Sequence, residues 1–198
     1  RGAEEEGATI ETFTEVTGIE LSSGNKVVAV NTTSGRIPTG TVVNAAGAWS
    51  AAIGGMVGLD IPVIPRKGHI VVTEPAPRMV NSYWLDASYF DVVEQDEESL
   101  AVAMVIGQMH SGNFLLGSSR EFVGFDRSVS PIAISRMISR CLRFLPSLNG
   151  MHAIRSYAGL RPYTRDLLPI IGEAETVEGF YLATGHEGEG ITMGPITG

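Results

Sequence analysis

Short apolar–polar alternations, closed every few residues by glycine, asparagine or serine, fill the first part of the chain. Residues 1–6 read as a polar helix end closed by Gly7, and Ala8 to Phe13 as a short strand. Val16 to Leu21, Lys26 to Asn31 and Gly35 to Ile37 read as three strands, with turns at Ser22-Ser23-Gly24-Asn25 and Thr33-Ser34-Gly35. That pattern predicts a β-meander. Thr41 to Ala46 carries Val42, Val43 and Ala45, apolar on both faces, as in a buried parallel strand. It runs into Gly47 and then a small-residue helix from Trp49 to Met56.

Pro62 and Pro65 bound a new segment. Lys67 to Thr73 is strand-like and Pro75 to Asn81 a loop. Leu100 to Gln108 and Asn113 to Ser118 are expected to pair across His110-Ser111-Gly112. The charged run Glu94 to Ser99 before them reads as a solvated hairpin tip. Pro131 to Leu145 has helical periodicity, with Ile134, Met137, Ile138, Cys141, Leu142 and Leu145 on one face. Arg136, Arg140 and Arg143 form the opposite face, expected to be solvated, and Cys141 is expected to be an inert core thiol. Beyond Ala153 we expect an extended Arg155 to Ala158, a loop over Gly159 to Arg165, a short segment Leu168 to Gly172 and a buried strand Phe180 to Thr184. Gly185 to Gly194 is glycine-rich, and Pro195 is expected in the first turn of a helix cut off at Gly198.

Composition narrows the class. Hydrophobic residues make up 43% and charged residues 18%, which excludes a disordered chain. One cysteine excludes a disulfide scaffold or a multi-cysteine metal site within this chain. A net charge of −8 argues against a nucleic-acid partner. Of 198 residues 24 are glycine, against an average of about 7%, so close backbone approach to a ligand is expected. Arg1 to Gly7 is charged and no signal peptide is visible; no Met opens the chain, so we read it as an excised piece. The uncharged run Ile37 to Leu59 is interrupted by Pro38, Asn44 and five glycines, so it is not read as a membrane span.

Phosphate-loop, dinucleotide-glycine, zinc and nucleophile-elbow motifs are missing. His69, His110, His152 and His186 are not spaced as a metal pair, and no metal is expected. Three segments carry a pattern. Val42-Val43-Asn44-Ala45-Ala46-Gly47-Ala48-Trp49-Ser50 is a strand ending in small residues, which lets a ligand approach backbone. Ala158-Gly159-Leu160-Arg161-Pro162-Tyr163-Thr164-Arg165-Asp166 presents an arginine before a constrained turn, open to reading as an anion fork or as a structural partner of Asp166 or a carbonyl. Ala183-Thr184-Gly185-His186-Glu187-Gly188-Glu189-Gly190-Ile191-Thr192 is strand, glycine loop and helix start, which aims free N–H groups at a ligand.

Together these segments resemble the later part of the FAD-dependent amine and amino-acid oxidoreductases, the group holding glycine oxidase, D-amino-acid oxidase, sarcosine oxidase and the proline and hydroxyproline dehydrogenases. The resemblance is strongest over Val42 to Gly68 and Tyr157 to Gly198, and Leu115 to Asp126 continues it. The family's glycine motif for the dinucleotide lies upstream of anything here. The resemblance implies an α+β or α/β fold: a mixed-sheet substrate domain plus the meander and C-terminal part of an FAD-binding domain. It divides the chain into residues 1–61 and 155–198, facing the cofactor, and 62–154, the substrate domain.

By the same resemblance Arg161 grips the substrate carboxylate, with Tyr157 and Tyr163 flanking it. FAD is the implied cofactor. Val16 would face the adenine, and Ala45, Ala46, Gly47 and Trp49 the ADP half. Gly185, His186, Gly188, Glu189, Gly190, Ile191 and Thr192 would wrap the flavin ring. Glu187 and Glu189 stand where some relatives carry an arginine, a potential expected to suit an amine cation. Lys67 and His69 lie on the segment crossing toward the flavin, where a lysine can promote reaction with oxygen. Small Ala103 and Val105 imply a pocket with room for a side chain. The implied reaction is oxidation of a small amino acid or secondary amine by hydride transfer to flavin N5. The alternatives are a cofactor-less fragment or binding module, and a subunit of a heteromeric dehydrogenase of the hydrogen cyanide synthase kind. A cytoplasmic location is expected, with a homo-oligomer or an electron-accepting subunit as partner.

Overall fold

The computed structural model describes residues 2–94 and 99–198. Helix α1 (Gly2–Glu5) is one turn. The meander forms as expected from β1 (Val16–Leu21), β2 (Val27–Thr32) and β3 (Gly35–Pro38), a three-stranded antiparallel sheet. Ala8 to Phe13 forms no strand: Ile10 and Phe13 point into solvent and Phe13 has φ +56°, so the segment has neither a partner nor a face to bury. Strand β4 (Val42–Asn44) leads through a 3-10 turn at Gly47–Trp49 into α2 (Ser50–Gly55).

The centre of the molecule is a five-stranded sheet. Its strands are β5 (Ile64–Pro75), β6 (Trp84–Leu85), β7 (Ala101–Gln108), β8 (Asn113–Arg120) and β9 (Ala153–Tyr163), in the order β6-β7-β8-β5-β9. Helix α3 (Ser88–Glu94), which the sequence pattern did not announce, lies between β6 and β7. Asp96, Glu97 and Glu98 of the expected hairpin tip lie outside the described residues. Helix α4 (Pro131–Phe144) is capped by the Ser130 side chain, which accepts the Ala133 N–H, and has Pro131 in its first turn. It buries Ala133, Met137 and Cys141 with Val71, Met104, Ile106, Phe114 and Leu116 of the sheet. The Cys141 thiol is pushed up to about 12, chiefly by burial, which keeps it inert at neutral pH. The basic face of α4 is only partly solvated. Arg136 and Arg143 are exposed, but Arg140 Nε donates to buried Asp86 and its Nη2 to Ser88.

A second core, with Ile19, Val27, Val57, Ile61, Val63, Val177 and Phe180, lies under the meander and a third sheet. That sheet joins β10 (Ile170–Glu173), β11 (Phe180–Thr184) and β4, with β11 parallel to β4. Strand β4 pairs in parallel with β11 as expected, and within the described residues Val43 is 60% exposed.

Two further expectations fail near the chain's end. Gly159 to Tyr163 is strand, not loop, because it pairs with β5, and β9 is the sheet's edge. Pro162 needs no donor toward its open side there, and its carbonyl accepts the Glu187 N–H at 3.1 Å. Helix α5 (Gly190–Thr197) does form, and Pro195 is inside it rather than in its first turn. The glycine loop has already turned at Glu189, so the helix begins five residues earlier.

Candidate functional site

The site is written in the register of β5 against β9. Arg66 stands opposite Arg161, Ile64 opposite Tyr163 and Gly68 opposite Gly159. Side chains alternate, so Arg66, Arg161 and Tyr163 share one face, while Lys67 and His69 take the other. Two like charges facing each other need an anion. Glu187 supplies it from the loop after β11: its Oε1 is 3.9 Å from Arg66 Nη1, 3.1 Å from Arg120 Nε and 3.8 Å from Arg161 Nε. Arg66 is fully buried between the rings of Phe122 and Tyr163, its Cζ 5.1 and 4.6 Å from their centroids.

Arg161 differs from its neighbours. Its side chain is 20% exposed and lines a cleft of about 920 Å³. Nη1 donates to the Ser119 carbonyl at 3.1 Å, whereas Asp166 instead accepts the Leu168 N–H. Burial lowers its pKa, and the nearby guanidiniums of Arg120 and Arg66 add to that against Glu187. The guanidinium lies directly over Gly68, where any Cβ would fall within it. Gly68→Ala therefore pushes the end of a flexible side chain aside rather than breaking the backbone. We expect the intact protein to keep its stability within about 1 kcal/mol while turnover of a carboxylate substrate falls about 100-fold, the scale of a 1 Å misplacement. Parallel melting and steady-state kinetics check this, and a melting loss matching the activity loss would refute it.

On the other face, Lys67 Nζ sits 3.2 Å from Glu121 and 3.0 Å from Asp126. Burial alone would lower the Lys67 pKa, but the bonds to Asp126 and Glu121 outweigh it and raise it. This lysine is held in ion pairs and does not line the cleft. His69 is fully buried; its Nε2 accepts the Ser130 N–H, which leaves Nδ1 to donate to Ser119 Oγ at 2.8 Å.

His69 and, more weakly because it is half exposed, Asp126 are expected to make the fold acid-sensitive. Burial, the largest cause, lowers the His69 pKa below 6.5, and the Ser128 N–H, followed by Lys67, holds Asp126 at about 2 against an ordinary 3.8. Both are depressed in the folded state, so their contribution is present above the unfolded values and is lost as pH falls through the folded ones. Denaturant midpoints should fall below about pH 6.5 and again below about pH 4. A midpoint unchanged down to about pH 3 would contradict the assignment.

Of the residues singled out from sequence, Ala45, Gly47, Arg161, His186, Gly188, Gly190 and Ile191 line the cleft together, with Val43, Ile171 and Thr184. Thr184 also accepts from Ser50 Oγ, tying the cleft floor to α2. His186 Nε2 bonds Thr197 Oγ1 at 3.0 Å, fastening the loop to the last turn of α5. Gly185 (φ +81°) turns the chain here, and a Cβ would meet Thr164. Val16, Ala46, Trp49, Tyr157, Tyr163, Gly185, Glu189 and Thr192 do not line it. Val16 packs at the meander core, Trp49 against Phe125 at 5.6 Å and Tyr163 beneath Arg66, while Tyr157 is exposed beside Arg155. Ala103 is fully buried in the sheet's core, and neither it nor Val105 lines the cleft. Glu187 does not offer an amine cation a free charge, because guanidiniums already surround it. Arg66, Arg120 and Tyr89, whose phenol accepts from Arg120 at 3.1 Å, were missed. The signal for Arg66 was two adjacent cations in a strand otherwise rich in Ile, Val and Pro.

Among the described residues no group of three His, Cys, Asp or Glu could hold a metal, and no helix is long and apolar enough to cross a membrane. The fold is that of known flavoenzymes. It superposes on L-proline dehydrogenase from P. horikoshii with a TM-score of 0.86 and 28% identity, over 98% of this chain and 49% of that one. Glycine oxidase from Bacillus cereus gives 0.84 and 28%, over 99% and 50%. In sequence the chain is 35% identical over its whole length to hydrogen cyanide synthase subunit HcnC of Pseudomonas protegens, covering 44% of that protein. It is 32% identical to glycine oxidase of Geobacillus kaustophilus over 97% of this chain and 47% of that one. The chain thus spans about half the length of the relatives it matches. The sequence profile of one family covers residues 1–198, and with these likenesses and a glycine-walled cleft lined by a partly buried arginine, this chain belongs to the FAD-dependent oxidoreductases.

Proposed function

We propose that the chain is the part of an amino-acid or amine oxidoreductase that anchors the substrate carboxylate and closes over the flavin. The substrate class is a small D-amino acid, sarcosine, proline or hydroxyproline. The observation that carries this is Arg161, a guanidinium held over Gly68 by the Ser119 carbonyl and turned into the cleft. A guanidinium fork takes a carboxylate bidentately, each charge-assisted bond contributing about 1.5–3 kcal/mol.

FAD fits the cleft. At Gly47, Gly172 and Gly188 bare backbone meets open space in which a Cβ would stand with nothing within 4 Å. Val43, Ile171 and Ile191 add the apolar wall a flat ring system needs, and each is at least half exposed. Backbone at Ala45, Gly47, Gly188 and Gly190 would hold the cofactor, with Val16 and Trp49 toward its ADP half. Residues 1–61 and 155–198 would form the cofactor side and 62–154 the substrate side. Bound there, FAD supplies the acceptor for the hydride removed from the substrate's α-carbon.

This chain's residues do the rest. Arg161 fixes the carboxylate and thereby the direction of the α-C–H bond. The positive end of α5, with the peptide N–H groups of Gly190 to Thr192 free of helix partners, stabilises negative charge arising at the acceptor. The excess positive charge of Arg66, Arg120 and Arg161 favours an amine that enters unprotonated, as loss of hydride requires. The imine formed is hydrolysed by water. A second reading, electron transfer within a heteromeric assembly, is favoured by the 35% identity to a protein named as a synthase subunit.

The test is an anaerobic visible spectrum of the intact protein with D-proline, sarcosine, glycine or 4-hydroxyproline. Bleaching of flavin bands by one of them supports the reading. A colourless protein refutes it and leaves a binding module of the same fold.

A further inference from the structure

The arginine cluster holds more than a carboxylate anchor needs. Arg120 is fully buried and spends its fork on Glu187, Nε donating to Oε1 at 3.1 Å and Nη2 to Oε2 at 3.5 Å. Its other N–H groups reach Ser118 Oγ at 3.2 Å and the Tyr89 phenol at 3.1 Å, with the Tyr89 ring 4.8 Å from Cζ. Arg161 Nε stands 3.8 Å from the same Glu187 oxygen, beyond hydrogen-bond range. Glu187 therefore satisfies Arg120 and leaves the Arg161 fork to the cleft. It does so from a backbone at φ +47°, a region that residues other than glycine seldom occupy, held by its N–H on the Pro162 carbonyl.

We propose that Glu187 is a specificity-determining residue: an internal carboxylate that occupies Arg120 and so restricts the site to substrates with a single carboxylate. The inference rests on the reading of Arg161 as the carboxylate anchor. With Glu187 in place, a second acidic group on the substrate meets a like charge and finds the Arg120 fork already occupied, and a buried carboxylate without partners is strongly disfavoured. Without Glu187, Arg120 and Arg161 both open toward the position its oxygen now holds, and a dicarboxylate can bridge them.

The experiment is calorimetric binding of propionate and of malonate, similar in size, to the intact flavoprotein at a pH where malonate is a dianion. Wild type should bind propionate at least as tightly as malonate. Glu187→Gln should raise the malonate-to-propionate affinity ratio at least tenfold. Should that variant not fold, Glu187→Gly, which suits the positive φ, should do the same. A wild type that prefers malonate tenfold, or a folded variant whose ratio does not move, overturns the inference. Arg161→Met separates the two readings. If it abolishes binding of both acids while the Glu187 variants leave the ratio unmoved, only the role of Glu187 fails. If it leaves both affinities intact, the anchor itself is wrong and the inference falls with it.

Discussion

Arg161→Ala in the intact protein will lower kcat/KM for carboxylate substrates by about 30- to 5,000-fold, or about 2–5 kcal/mol, the cost of truncating one side of a desolvated charge pair. The loss should be specific to function. Arg161 stands opposite Arg66 in the β5–β9 register and shares a single anion with it and Arg120, so removing it relieves like-charge repulsion. Stability is therefore expected to hold or rise slightly. Arg161→Lys should recover only part of the activity, because an ammonium keeps the charge but not the planar fork. Steady-state kinetics and a denaturant melt on the same preparations decide the matter. Unchanged turnover and affinity for a carboxylate substrate in the alanine variant would remove Arg161 from the mechanism.

Lys67→Met carries the opposite signature, a large loss of stability with the cleft untouched. Lys67 Nζ is almost fully buried, with Glu121, itself 14% exposed, as the partner that stays inside when the lysine goes. Leaving a buried carboxylate uncompensated costs about 3–5 kcal/mol. The partner Asp126 is half exposed and can turn to water, so it adds little to that cost. Adding Glu121→Gln should restore much of the loss, since the uncompensated charge is then gone. If the single variant melts as wild type does, the buried pair is not a stabilising feature of this fold. If the double variant melts lower still, the loss comes from packing of the lysine stem and not from charge.

The contrast between these two cations was invisible in the sequence. Arg66 and Lys67 are adjacent in β5, and the strand's period of two sends them to opposite faces, one to the arginine cluster and one to an ion pair with β8's end. Lys67 was read as a residue that could act on oxygen because nothing local reveals Glu121 and Asp126, which arrive from more than fifty positions away. The same holds for Arg140, read as solvated from its place on the polar face of α4 and found against Asp86. Burial pushes the Asp86 carboxyl up, but bonds from Ser88, Arg140 and the Met104 N–H hold it below its ordinary value.

Local signals served well where the physics is local. The meander, the β7–β8 hairpin and α4 follow from turn residues, alternation and a capped helical period, each set by neighbours within a few positions. The glycine loop and the Gly-Leu-Arg-Pro stretch marked where the cleft would be, because close backbone approach and a fork-shaped cation are properties of residue type. What the chain could not announce is whatever depends on which strands become edges and which charges meet. Gly159 to Tyr163 looks like a loop until β5 pairs with it. Glu187 looks like an exposed acid until β5, β8 and β9 bring three guanidiniums to it. Sequence alone determined the meander, the β7–β8 hairpin and α4, which follow from short-range stereochemistry, and its motifs carried the resemblance that pointed to the family. Only the tertiary structure decided how the charges balance, because Coulomb energies depend on distances and burial that pairing across the whole chain creates.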